Sequence, residues 1–418
     1  MNSKNLSKLL IYLICLLPFF YNYFVILPYL FRWSIDFLIL FTLFTLPKNK
    51  RIPKNKLYRY FQIYTILIIF TILFSAFYNN SNILLTIASI RKAILPFVLF
   101  YIFYHIMFIY QDEIYNDTFT KISYIQIIIV PIEYLLFLFY SNFRASLSEN
   151  TPYNSYDIAS GTFGAGGTGV VGVFLVIFFV YSFINLNRKY SYIFLIPLAF
   201  IFSGGANVLL IIAILFIIFF TNKKLKNKIS NLFYIGLFIS MILIISNLIF
   251  SGVLINNIGT AFEKYYIFSF EKKGETFGTY DQKLSRIGGF IYVNKRLNTT
   301  GNKILGLGLD AVAESRTLNV KSFKLGSITD IKSESLFRLS QSGYLGLIIN
   351  YSFYLFIILY FIKRFKRNKY YLTGTIIFIL FFISTFYIQS INNINLMSFI
   401  SSFLAISVIY ETKNNYIT

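Results

Sequence analysis

Residues 206–228 read ANVLLIIAILFIIFFTNKKLKNK. The first fifteen carry no charge, and the last six hold four lysines. Inside hydrocarbon a backbone must pair its own N–H and C=O groups, which a helix does within one segment. Roughly 20 apolar residues cross a bilayer, and lysines hold their end of a span in the cytoplasm. The stretch therefore reads as a transmembrane helix leaving the membrane on its inner side.

The same pattern recurs along the chain. Spans are expected near 9–27, 29–46, 57–77, 93–110, 122–140, 169–186, 190–203, 206–220, 230–250, 343–362, 371–389 and 396–410. No run shows the alternating polarity of barrel strands, which are about 9–11 residues long. The expected fold is all-α, a polytopic integral membrane protein of about twelve transmembrane helices. Residues 1–250 would hold spans 1–9, 251–342 a large, partly helical outer loop, and 343–418 the last three spans.

Composition agrees. The chain has 418 residues, 57% of them hydrophobic, against roughly 45–50% in soluble domains. Its formal net charge is +22, which on a soluble protein would suggest nucleic acid. Here much of the charge lies in short clusters between apolar runs, so lipid is the expected surrounding and no nucleic acid is implied. A single cysteine, Cys15, and a single histidine, His105, leave no disulfide framework and no site built on several His or Cys ligands within one chain. No metal or other cofactor is expected. His105 reads as a packed helix residue with its second nitrogen bonded to a neighbour. The N-terminus, MNSKNLSKLL, runs into continued hydrophobicity without a small-residue cleavage site, and reads as an uncleaved first span.

The basic clusters at 48–56, 188–189, 223–228 and 363–369 fall on one side in this topology, which makes both termini cytoplasmic. Residues 83–92 read as an interfacial or re-entrant piece before the fourth span. The acidic connection 111–120, QDEIYNDTFT, does not fit the cytoplasmic pattern. Arg32 and Asp36 are spaced to pair on one helix face. Aromatic residues, 20% of the chain, are expected mainly at the lipid face and the membrane interfaces.

The long segment 251–335 holds a dozen Lys and Arg residues although it should lie outside. Either it meets an anionic ligand at the membrane surface, or it is a solvated loop with ordinary charge. Within it stand Ser285-Arg286-Ile287-Gly288-Gly289-Phe290, a helix-like stretch to Arg296, and Leu305-Gly306-Leu307-Gly308. Glu334-Ser335-Leu336-Phe337-Arg338 then leads to Gly343-Tyr344-Leu345-Gly346 at the start of a span. The pair Gly306 and Gly308 marks a tight turn or a close backbone approach; a dinucleotide fingerprint would need a third glycine in a βαβ setting.

This order of arginine, helix, Gly-x-Gly, Gly-x-x-Gly and span resembles the O-antigen ligase and polymerase superfamily. Gly161-Thr162-Phe163-Gly164-Ala165-Gly166-Gly167 before a span, and Ser203-Gly204-Gly205-Ala206 between two close helices, resemble further family features. The family turn usually carries Arg where this chain has Gly204. Its ligases carry a His shortly before the last glycine motif, where this chain has Lys332-Ser333-Glu334-Ser335. The polymerase branch is therefore the better match. The resemblance implies a metal-independent membrane glycosyltransferase of capsule, O-antigen or exopolysaccharide synthesis in the bacterial inner membrane. Its substrate would be an undecaprenyl-pyrophosphate-linked oligosaccharide, and its partners a flippase and a chain-length regulator.

Such a reaction needs cations on the leaving pyrophosphate and a base at the acceptor hydroxyl. Arg286 matches the family arginine. Arg91 is a cation at membrane depth, which is functional by default unless it snorkels to the interface. Glu334 and Asp310 are candidate bases. Arg338, Lys92, Arg296 and Lys332 are candidate binding cations, with Gly306, Gly308, Gly164 and Gly166 allowing close approach. Glu334 and Arg338 are also spaced to pair simply with each other, and Glu133, inside a span, reads as a structural anchor or a cavity residue. A ligase, a lipid-linked oligosaccharide flippase and a structural subunit stand as the other readings.

Overall fold

The computed structural model describes residues 5, 8, 9, 11–16, 34–45, 56–139, 161–163, 168–186, 190–201, 204–221, 286–300, 302–308, 313–315, 320–322, 333–388 and 393–417. Its helices are α1 (Ser34–Thr45), α2 (Lys56–Tyr78), α3 (Ile83–Phe139), α4 (Thr168–Asn185), α5 (Leu198–Ile201), α6 (Gly204–Thr221), α7 (Arg286–Thr299), α8 (Glu334–Ile362), α9 (Lys369–Ser384) and α10 (Ile394–Ile417). The expected helical class holds, with one addition: β1 (Ala313–Ser315) and β2 (Val320–Ser322) pair antiparallel inside the segment read as an outer loop.

Among the described residues, four stretches are long and apolar enough to cross a membrane: Lys56–Tyr78, Ile83–Phe108, Glu113–Leu136 and Glu334–Ile362. Five shorter apolar helices pack among them. The expected spans near 9–27 and 29–46 are described only in part, and that near 230–250 lies outside the described residues. Polar residues start the helices where chain breaks were expected. Asn82 Oδ1 accepts from the backbone N–H of Leu84 and Leu85 at the head of α3. Asn368 does the same for Tyr370, and Asn393 for Asn395 and Leu396. Each satisfies donors that the first helical turn leaves open.

One expectation is corrected. Residues 83–92 are no separate piece and 111–120 no loop: both are helical, in one element, α3, with the two expected spans, which appear as Ile83–Phe108 and Glu113–Leu136. It is not straight. Ser401 Oγ bonds Pro96 O at 3.1 Å, while Phe399, two residues earlier, meets the Phe119 ring at 5.2 Å. A straight helix would hold those partners roughly 34 Å apart, beyond the reach of one serine and two rings. One acidic residue of the connection also finds a reason. Asp117 pairs with Lys8 at 2.6 Å and with Lys121 at 2.9 Å, so its charge is neutralised where it lies.

The helix ends with basic flanks gather at one end of the bundle. Lys369 Nζ donates to Asn185 O at 3.1 Å, and Phe220 packs on Phe365 at 5.5 Å. Tyr60 packs on Phe356 at 4.2 Å, and Tyr370 stacks on Tyr410 at 4.5 Å. The interior is filled by rings as well as aliphatic chains: Phe61 stacks on Phe100 at 4.1 Å and meets Phe353 edge-on at 5.0 Å. The aromatic residues thus serve the core as much as the lipid face. Small residues set the closest helix approaches, as expected in lipid. A Cβ on Gly172 would lie 2.5 Å from Ala206 Cβ, and one on Gly205 would lie 2.4 Å from the Tyr387 ring.

Candidate functional site

α8 is two helices joined at a break. Gly343 has φ 62° and ψ −160°, outside the helical region. The first part, 334–342, folds back on the second. Ser335 N donates to Thr385 O at 3.3 Å, and Tyr351 Oη hydrogen-bonds Thr385 Oγ1 at 3.0 Å. Sixteen residues of straight helix, roughly 24 Å, would keep Ser335 and Tyr351 from sharing Thr385. Residues 334–343, at the border of the expected outer loop, are all buried.

The two glycine motifs singled out in the sequence meet at this break. Leu307 N donates to Ser340 O at 2.9 Å and Gly308 N to Gln341 O at 3.2 Å. In return Tyr344 N donates to Lys303 O at 2.9 Å and Leu345 N to Ile304 O at 3.1 Å. Loop 302–308 therefore supplies the partners that the broken helix lacks. The contact is main chain on main chain. A Cβ at Gly306 (φ 73°) would lie 2.5 Å from Gly343 N, and one at Gly343 would lie 2.4 Å from Ile304 O. Above this interlock α7 lies on 334–342, with Val293 and Leu297 packed against Leu336 and Leu339.

The fold-back carries Glu334 and Arg338 inside. Arg338 Nε donates to Glu334 Oε1 at 2.7 Å, and the residues are 3% and 1% exposed. Their i, i+4 spacing thus does form a pair, as the sequence allowed. The pair is not self-sufficient: Glu334 Oε2 is buried without a hydrogen-bond partner. Arg338 lines a cavity of ≈ 30 Å³, and it is the only charged one among the described residues that line it. Phe61, Phe97, Phe353, Ile357, Phe378 and Leu404 form apolar wall, and Asn350, Tyr354 and Ser401 add polar groups. Holding a guanidinium by Nε leaves its outer edge of two nitrogens as a fork for a bidentate anion.

The other expected site residues are placed as follows. Arg91 is 44% exposed at its side chain and pairs with Asp36 at 2.6 Å; Arg32, expected to face Asp36, lies outside the described residues. Arg286 begins α7, one turn before Gly289, whose added Cβ would lie 3.1 Å from Leu336 Cδ1. This puts the Arg286 backbone at the corner occupied by 334–342. Arg296 is exposed in the last turn of α7. Gly306 and Gly308 serve the interlock. Lys92 is placed in α3 by its backbone only. Asp310, Lys332, Gly164 and Gly166 lie outside the described residues. His105 Nδ1 is buried without a hydrogen bond, where a bonded nitrogen was expected.

Reasoning from sequence missed a second polar centre. Gly161 N donates to Glu133 Oε2 at 2.7 Å, and Gln126 exchanges bonds with Thr162, as donor to Oγ1 at 2.6 Å and as acceptor from N at 3.0 Å. Asn395 Nδ2 donates to Thr162 O at 3.0 Å and Asn393 Nδ2 to Phe163 O at 3.2 Å. The turn 161–163 is thus clamped between α3 and α10, and Glu133 acts as its anchor. The polar residues inside apolar runs, Gln126 and Asn395, were the available signal.

Comparison with protein-family models gives no match to this chain, and no curated protein matches it.

Proposed function

We propose that the chain polymerises lipid-pyrophosphate-linked oligosaccharide repeat units at a bacterial plasma membrane, with both termini cytoplasmic. The observation that carries this reading is Arg338: a buried guanidinium, held through Nε by Glu334, at the edge of a largely apolar cavity in a helical bundle. A cation walled by apolar side chains suits an anionic headgroup with an apolar tail. The resemblance to repeat-unit polymerases in the order of motifs supports the same reading.

In this mechanism the donor's pyrophosphate meets the outer fork of Arg338, and the basic segment carrying Arg286 and Arg296 lies beside it. The acceptor sugar's hydroxyl oxygen attacks the anomeric carbon of the donor. A new C–O glycosidic bond forms as the C–O bond to phosphate breaks. The electron pair leaves on the pyrophosphate, where cations stabilise the charge as it develops. The hydroxyl proton passes to Glu334 Oε2, the oxygen without a protein partner.

The test is deletion of the gene in its host, with sizing of glycans on the lipid carrier and at the cell surface. Long chains should disappear while single repeat units remain. Arg338→Ala and Glu334→Gln should insert normally and fail to restore polymer. Long polymer accumulating on the carrier would make the protein a ligase. Units trapped on the cytoplasmic face would make it a flippase.

A further inference from the structure

Ser75 is fully buried near the end of α2. Its hydroxyl reaches two carbonyl oxygens, Leu305 O at 2.7 Å and Gln341 O at 2.8 Å. One belongs to loop 302–308 and the other to the folded-back part of α8. A serine has one proton to donate, so the contact is a three-centre bond shared by the two halves of the interlock. Hydroxyls elsewhere in the same helix behave differently. Thr65 and Thr71 return their protons to the carbonyls of Phe61 and Leu67, four residues earlier in α2. Ser75 directs its proton out of its own helix. One turn on, Asn79 Nδ2 donates to Ser75 O at 2.9 Å, and Asn302 Nδ2 donates to Asn79 Oδ1 at 3.0 Å. The end of α2 therefore grips the loop and the break together.

We infer that Ser75 is a positioning residue: it pins the fold-back of α8 and so sets where Arg338 stands at the cavity. Its importance to glycan transfer rests on the polymerase reading above; the pin itself does not. The start of the fold-back is held at the end of α9, by Glu334 N on Ile388 O and Ser335 N on Thr385 O, both at 3.3 Å. Its far end, at Gln341, and loop 302–308 are tied by Ser75 to α2, which also lines the cavity through Phe61 and Ile68.

The test uses full-length protein in detergent with Cys15→Ala as parent. A cysteine at position 350 (Asn350→Cys) reports on the cavity through its rate of reaction with N-ethylmaleimide. A cysteine at position 182 (Ser182→Cys), buried in α4, reports general loosening. Ser75→Ala should raise the rate at 350 about fivefold, the factor expected for loss of one net hydrogen bond, and leave 182 unchanged. Ser75→Thr, which keeps the hydroxyl, should react at the parental rate. The inference is overturned if Ser75→Ala leaves the rate at 350 unchanged, if both positions speed up alike, or if Ser75→Thr behaves as Ser75→Ala. Should Ser75→Ala fail to accumulate, Asn302→Ala loosens the same loop and carries the same expectation and the same refutation. In the host, Ser75→Ala should shift glycans toward short chains. A labelling change in a host whose glycans do not respond even to gene deletion would sink the polymerase reading and leave the pin standing.

Discussion

Arg338 and Glu334 neutralise each other in a place where neither could stand alone. Removing one partner of a buried pair costs roughly 3–5 kcal/mol, because the other charge is stranded, whereas replacing both is often neutral. Arg338→Ala is therefore expected to lower the thermal midpoint of the purified protein. The double variant Glu334→Gln with Arg338→Met should recover most of that loss. Neither should make polymer, so unfolding and glycan length read stability and chemistry separately; polymer from the double variant would take the pair out of the reaction. The i, i+4 spacing made this pairing legible in the sequence. Its burial was not legible. Residues 334–342 carry Glu, Arg, Gln and three serines, and such a segment reads as the rim of a hydrophilic loop unless the partners that receive it are known.

Among the elements, the break in α8 and loop 302–308 depend on each other. A side chain at Gly343 would need a left-handed backbone, costing about 1–2 kcal/mol, and would also strike Ile304 O. Gly306→Ala and Gly343→Ala are each expected to destabilise by more than about 2 kcal/mol in thermal unfolding. Gly289→Ala is the contrast. It meets only Leu336 Cδ1, at 3.1 Å, from within a helix, where alanine is the better residue by nearly ~1 kcal/mol, so it should be close to neutral. Equal losses at all three positions would contradict the interlock. Both glycine motifs stood out in the sequence, Gly306 and Gly308 as a tight turn or close approach and Gly343-Tyr344-Leu345-Gly346 as the start of a span. That they are partners did not, because a contact between main chains leaves no complementary pattern of side chains. The helical form of the connection 111–120 escaped for a related reason: its acidic residues look like a loop, and Asp117 meets Lys8 and Lys121 only in the folded chain.

For the whole molecule, the ends of α2, α4, α6, α8 and α9 nearest the basic clusters lie together, and Asn79, Thr385 and Gly343 lie toward the other end. Charge clusters predicted that grouping, since the side with lysines is set by insertion and not by packing. With Cys15→Ala as parent, a cysteine at Asn80 should react with a membrane-impermeant maleimide in intact cells, and one at Arg364 should react only after permeabilisation. The reverse pattern would invert the topology; equal labelling would refute a separation of the two ends. The fold-back of α8 also has a consequence for how the protein is made. A growing chain is released into the bilayer span by span, and 344–362 is apolar enough to be accepted when it emerges. Residues 334–342, with a charge pair and unpaired backbone at Gly343, have no stable place in lipid until α2 and loop 302–308 are there to receive them. They must also share Thr385 with Tyr351, and Thr385 is synthesised later than either. The site is therefore completed only after α9 has been translated, and a ribosome stalled short of that point would leave a chain already in the membrane but without its charge pair in place.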